Sequence, residues 1–266
     1  MENNDRIIQE NISAENIMSV PSPAEVSVQK AEERPAFVKA EHLSKSFQLS
    51  SRKIQVLNDV SFSLPAGEWT ALCGASGSGK TTLLDILGGL SRPDSGKVWI
   101  GGTDLSGLSS GTAVNFRRKN IGFVFQSYHM LPELTICENV MLPALLDGKN
   151  KKEVKEKALS LLERMGLSHR FHHRPNERSG GEQQRAASAR SLINSPPLLL
   201  ADEPTGNLDS VTGRGILELF SEIHQEGVTV IMVTHDHFVA SLADRIIELK
   251  DGFISNSGAE KREEEK

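Results

Sequence analysis

Residues 74–81 read Gly-Ala-Ser-Gly-Ser-Gly-Lys-Thr and follow the apolar run Trp69-Thr70-Ala71-Leu72-Cys73. A glycine-rich turn between an apolar strand and an apolar helix is a phosphate-binding loop, so the chain must deliver a strand into the start of a helix at one sheet edge. Gly74, Gly77 and Gly79 let the backbone curl so that successive N–H groups of the loop, which also holds Ala75, Ser76 and Ser78, point at phosphates. Lys80 is expected to reach the β- and γ-phosphates of a nucleotide. Thr81 carries a hydroxyl suited to Mg²⁺, a hard cation that prefers oxygen ligands, and Thr82 continues the helix start.

Such a loop needs a carboxylate to help hold the metal, and Leu198-Leu199-Leu200-Ala201-Asp202-Glu203 supplies it. The run is short, apolar and followed by acids, which suits a central parallel strand delivering side chains to the carboxyl edge of a sheet. Asp202 is expected in the metal shell, and Glu203 as the group that polarises a water for attack on the γ-phosphate. Pro204 biases Glu203 away from helical angles and fixes a turn there. A further β-branched run over residues 228–234 ends at His235, whose imidazole can touch a phosphate. Gln126 closes the apolar run 121–125; alone it carries little meaning.

A later motif, Ser179-Gly180-Gly181-Glu182-Gln183-Gln184-Arg185, gives these pieces company. With it, the chain resembles the nucleotide-binding subunits of ABC transporters over about residues 37 to 255. The resemblance implies a P-loop ABC ATPase fold of the α/β class: a mostly parallel central sheet, an antiparallel β subdomain and a helical subdomain at about residues 127–185. It also implies that Ser179, Gly180 and Gly181 of a second copy close the site in trans over ATP. A glycine pair at a helix start suits that task, because it exposes backbone N–H groups to the γ-phosphate. Gly206-Asn207-Leu208-Asp209 matches the loop that links the paired sites, with Asp209 as its acid. Gln126 matches the glutamine that senses metal and water, His235 the histidine at the γ-phosphate, and Phe47 the ring stacked on adenine. Arg178 stands where the family usually has leucine, and Glu182 where it usually has glutamine. Arg178 either weakens closure or supplies an extra cation beside the opposing phosphate; hydrolysis is expected to be intact, and a substantially faster steady-state ATPase rate in Arg178→Leu would show the site impaired.

The segment from Gln126 through Ser127-Tyr128-His129-Met130-Leu131-Pro132, with Glu138-Asn139-Val140 beyond it, is similar to the lipoprotein-releasing and macrolide-exporter subgroup. The likeness implies that Met130, Leu131 and Pro132 are exposed apolar contacts for a transmembrane permease subunit. It also implies an ATPase peripheral to the cytoplasmic side of the inner membrane, with lipoprotein release or macrolide-type efflux as the driven process. A cell-division-type ATPase of the same architecture, and a soluble assembly protein switched by nucleotide, are the alternatives. A repair ATPase would need a long coiled-coil insertion and a translation ATPase a second tandem site. One set of motifs without a fused membrane domain favours a homodimer.

The 266 residues suit one large α/β unit with tails. A net charge of −5 argues against a nucleic-acid partner, which would want a basic face. No apolar run approaches the roughly 20 residues of a membrane helix. Cys73 and Cys137 read as reduced core thiols, too few for a disulfide framework. Residues 1–35 form a polar, acidic arm without the pattern of a secretory leader, expected to be disordered. The expected ATPase domain is 36–256, and 257–266 is a solvated charged tail. Within the domain, Val154, Ala158, Leu161, Leu162 and Met165 mark one face of a helix that Gly166 ends. His169, His172 and His173 have no acid or cysteine at ligand spacing and read as a connector rather than a metal site. Asp251-Gly252 predicts a terminal hairpin.

Overall fold

The computed structural model describes residues 35–50, 52–175 and 179–257. The expected arm before residue 35, the tail from 258 onward and Arg178 lie outside the described residues. Two long strands, β1 (Ala36–Leu49) and β2 (Arg52–Pro65), pair antiparallel with register shifts on the way. β3 (Trp69–Cys73) runs into the glycine loop and then α1 (Lys80–Leu87), followed by β4 (Ser95–Ile100), β5 (Thr103–Asp104), α2 (Ser110–Asn120) and β6 (Ile121–Val124). A helical stretch comes next: α3 (Ile136–Leu146), α4 (Lys151–Arg164) and α5 (Gly180–Leu192). The chain returns through β7 (Leu198–Asp202), α6 (Ser210–Gln225), β8 (Thr229–Val233), α7 (His237–Ser241), β9 (Arg245–Lys250) and β10 (Phe253–Ser257).

Among the described residues these strands form a four-stranded antiparallel sheet, ordered β2-β1-β4-β5, and a six-stranded sheet, ordered β10-β9-β3-β8-β7-β6. In the larger sheet every pairing is parallel except the closing β9–β10 hairpin. The hairpin turn places Asp251 at φ 50° and Gly252 at φ 82°, the left-handed pair that a two-residue connection of this twist requires.

The central strands are buried on both faces, which is why they read as unbroken apolar runs. Leu199 and Ala201 of β7 join one core with the inner faces of α3 to α7, whereas Leu198 and Leu200 join another with α1 and the antiparallel sheet. Side-chain alternation along one strand thus pins two different layers to the same sheet. Cys137 is buried and Cys73 half-buried; both are free thiols, and burial pushes both up from the ordinary thiol range.

Two helix starts in the helical stretch carry reciprocal capping boxes: Thr135 with Glu138 at α3, and Ser179 with Glu182 at α5. Asn139, fully buried, satisfies the loop before α3. Its Oδ1 accepts from Leu131 N–H at 2.8 Å, and its Nδ2 donates to the carbonyls of Leu131 at 3.0 Å, Leu134 at 3.2 Å and Thr135 at 3.0 Å. This loop corrects one expectation. Leu131 and Pro132 are exposed, but Met130 is half-buried and packs against the helical core, because the anchored backbone at Leu131 leaves the preceding side chain facing inward.

Candidate functional site

The parallel strands deliver their carboxyl ends to one edge, in the spatial order β3, β8, β7, β6. Lys80 follows β3, His235 follows β8, Asp202 and Glu203 close β7, and Gln126 lies just past β6. A cavity of about 850 Å³ opens there, lined by the glycine loop together with Phe47, Gln126, Asp202, Glu203 and His235. Residues scattered from 47 to 235 therefore share one wall.

At two of its glycines, 74 and 79, the loop leaves no room for a side chain. A Cβ at Gly74 would lie 2.1 Å from the Leu249 carbonyl oxygen, and one at Gly79, φ 105°, would lie 2.7 Å from the Val56 carbonyl oxygen. Lys80 is 7% exposed and donates to the carbonyls of Gly74 and Ala75, both at 2.8 Å, which fixes its ammonium under the loop. Ser78 Oγ is buried without a hydrogen-bond partner among the described residues. A buried hydroxyl in that condition beside a lysine and a helix start fits an anionic ligand that brings its own acceptors.

Thr81 Oγ1 donates to Asp202 Oδ2 at 3.1 Å. Burial pushes the Asp202 carboxyl up, the Thr81 bond pulls it down, the Glu203 charge raises it further and the Lys80 charge opposes. Behind it Asp85 is also raised, first by burial and then by the Asp202 charge. A hydroxyl and a partly desolvated carboxylate side by side are oxygen donors of the kind a hard divalent cation takes. Glu203 sits at φ 43°, a left-handed conformation rare outside glycine, and accepts from His235 Nδ1 at 3.0 Å. Gly206 lies between the catalytic candidates: a Cβ there would meet Gln126 Nε2 at 3.0 Å and Glu203 Oε2 at 3.2 Å. Asn207 Nδ2 donates to the Gln126 carbonyl at 3.1 Å, closing this corner.

Phe47 is 46% exposed and faces the cavity rather than a core, with the Lys45 ammonium 5.4 Å from its ring. Asp94 holds its strand in place, accepting from Ser46 N–H at 2.8 Å and Ser46 Oγ at 2.5 Å and pairing with Lys45 at 3.2 Å. Those Ser46 bonds hold the Asp94 carboxyl down at about 2. Val56, beside Phe47 on the cavity wall, carried no signal in the sequence; only the β1–β2 pairing brings it there.

Ser179, Gly180, Gly181 and Asp209 do not line this cavity. They sit at two helix starts that face each other. A Cβ at Gly181 would lie 2.2 Å from Thr212 Cγ2, so α5 and α6 touch at that glycine. Asp209 caps α6, accepting from the N–H groups of Val211 at 3.1 Å and Thr212 at 3.0 Å and from Thr212 Oγ1 at 2.7 Å, and these bonds hold its carboxyl below the usual range. A second cavity, about 470 Å³, lies between α2, β6, α3 and the end of α5, with Phe125, Leu142 and Leu146 on its wall and Arg118 and Arg190 among its polar groups. No helix among the described residues is long and apolar enough to cross a membrane. Among those residues no group of three or more His, Cys, Asp or Glu could hold a metal, the histidines around 170 included.

Residues 57–206 match the family model described as ABC transporter. The chain is 49% identical over 210 residues to the macrolide export ATP-binding/permease protein MacB of Shewanella sp. (strain ANA-3), covering 79% of this chain and 32% of that one. It is 46% identical over 225 residues to the MacB of Bartonella henselae, covering 85% of this chain and 34% of the relative. The chain thus spans about a third of the length of the curated relatives it matches. A solved dimer of the ATP-binding cassette MJ0796, in a post-hydrolysis state bound to ADP and Pi, superposes with a TM-score of 0.80 at 39% identity, covering 84% of this chain and 99% of that one.

Proposed function

The chain belongs to the ABC transporter family, and we propose that it is the ATP-hydrolysing part of a transporter, driving a transmembrane partner from the cytoplasmic side of the inner membrane. The observation that carries this reading is the single cavity into which Lys80, Gln126, Asp202, Glu203 and His235 converge. ATP lies with its adenine against Phe47 and Val56 and its phosphates in the loop 74–79, Lys80 meeting the β- and γ-phosphates. Mg²⁺ fits the Thr81 hydroxyl, the Asp202 carboxylate and the Gln126 amide, and when bound it neutralises charge on the phosphates. Glu203 orients a water and takes its proton as the water oxygen bonds to the γ-phosphorus and the bond to the β–γ bridging oxygen breaks, leaving ADP and phosphate. His235, donating from Nδ1 to Glu203, fixes the direction of that carboxylate, and its ring stands on the same cavity wall as the loop that receives the γ-phosphate.

The site is completed by a second copy, whose Ser179, Gly180, Gly181 and Asp209 meet the phosphates across a homodimer interface. Two nucleotides are then sandwiched head to tail, and the better contact of ATP with the closed state drives closure. The groove between α2, β6, α3 and the end of α5, apolar with arginines among its lining, suits a short cytoplasmic segment of the permease, with Leu131 and Pro132 close to it in sequence. Export of the macrolide type is the favoured process, because the relatives named above carry that name; lipoprotein release and a division-type role are the other outcomes of the test.

The test uses Glu203→Gln protein. With Mg-ATP it should hydrolyse more than a hundredfold more slowly than wild type and elute as a dimer at micromolar concentration by light scattering, whereas a persistent monomer would refute the sandwich. Tagged Glu203→Gln should also retain an integral membrane protein from detergent-solubilised native membranes. Recovery of soluble proteins alone would favour a nucleotide-switched assembly protein.

A further inference from the structure

Just beyond Gln126 the backbone does something unusual. Tyr128 at φ 60° and His129 at φ 48° are consecutive left-handed residues, neither a glycine, and together with Glu203 they are the only such positions among the described residues 121–190 and 198–236. Consecutive left-handed L-residues do not persist unless their surroundings hold them. The holding group is Arg190. Its guanidinium donates through one amino group to the Tyr128 carbonyl at 2.7 Å and through the other to the His129 carbonyl at 2.5 Å. This planar fork spans both carbonyls of the bend at once, a geometry that an ammonium does not reproduce.

Arg190 belongs to the last turn of α5, the helix whose first residues are Gly180 and Gly181. Tyr128 reaches back to the other end of that helix: its hydroxyl lies 2.6 Å from where a Gly180 Cβ would be. The His129 ring meets Phe125 edge-on, with centroids 4.7 Å apart. The segment after Gln126 therefore meets both ends of α5, through a charge-assisted fork at one end and the approach of the Tyr128 hydroxyl to Gly180 at the other.

We propose that Arg190 is a positioning residue for hydrolysis: by clasping the Tyr128 and His129 carbonyls it fixes the bend that aims Gln126 into the nucleotide cavity, and makes Gln126 and the Ser179–Gly181 helix start move as one body. The inference rests on the roles given above to Gln126 and to that helix start. Because Arg190 touches neither nucleotide nor the reacting atoms, its loss should spare binding and slow turnover.

The test compares wild type, Arg190→Lys, Arg190→Lys/His129→Asn and Gln126→Ala, each checked for folding by circular dichroism and thermal melting. The readouts are affinity for a fluorescent ATP analogue and kcat and KM for Mg-ATP. Arg190→Lys is expected to bind the analogue within about threefold of wild type while kcat falls at least tenfold. Asparagine accepts the left-handed region more readily than histidine, so His129→Asn should recover a good part of that loss in the lysine background. Wild-type kcat in folded Arg190→Lys, beside a slow Gln126→Ala, overturns the clasp and leaves the parent reading standing. Wild-type kcat in Gln126→Ala removes the parent reading and the clasp with it. Losses of affinity, melting temperature and kcat in proportion, with no recovery from His129→Asn, would reduce Arg190 to a structural role and also overturn the proposal.

Discussion

Asp202 shows how function and stability pull apart at one residue. Its carboxyl is raised mainly by burial, so the folded state holds the proton more tightly than the unfolded chain and the ionised form burdens the fold at neutral pH. That burden is absent below the ordinary aspartate pKa, grows as pH rises towards the raised one and is constant above it. Asp202→Asn keeps an acceptor for Thr81, lightens the raised Asp85 behind it and should melt slightly higher than wild type at pH 7 without nucleotide, by a few degrees at most since the site is open to water. It should also lose Mg-ATP hydrolysis; a lower melting temperature in calorimetry would contradict this account. Lys80, Asp202 and Glu203 were legible because each is fixed by a short local pattern, a glycine loop or an apolar run ended by acids. Val56, Arg190 and the left-handed pair at 128–129 were not, because each acquires its place from a pairing or a contact between segments distant in sequence.

Helix starts and anchored loops carry the next level. The glycines of the 179–181 motif answer to packing: Gly181→Ala drives a methyl into Thr212 and should destabilise by about 1–3 kcal/mol. Gly180→Ala meets only the movable Tyr128 hydroxyl and should cost less. Urea melts of the two variants would decide, and equal losses would count against the α5–α6 contact. Asp94 fixes the Lys45–Phe47 stretch of β1 through bonds that are stronger to its carboxylate than to the neutral acid. A depressed carboxyl contributes stability above the unfolded-state pKa of about 3.9 and loses it as pH falls through its folded value of about 2. The stability gap between wild type and Asp94→Asn should therefore close between those values and stay constant above them, and KM for ATP should rise in the variant as Phe47 loosens. The motif at Glu138-Asn139 was recognisable in sequence as a subgroup mark, yet its physics, a capping box and a side chain closing four bonds on one loop, needed the fold.

For the molecule as a whole, the class of fold followed from unbroken apolar runs alternating with helical stretches, whereas the half-burial of Met130 and the exposed apolar groove beside Phe125, Leu142 and Leu146 needed the fold. Leu146 is 64% exposed, so Leu146→Glu should fold and hydrolyse ATP like wild type but fail to retain the membrane partner in the pull-down; retention by the variant would place the contact elsewhere. The two cores set on opposite faces of β7 have a further consequence, best put in the language of hydrogen exchange. Amides of Leu199 and Leu200 lie between neighbouring strands and under apolar cover from both sides, so they can exchange only when both layers come away together. They should be among the last in the protein to take up deuterium, and Asp202, at the end of that strand, inherits a fixed point of reference against which the loops around the nucleotide can move.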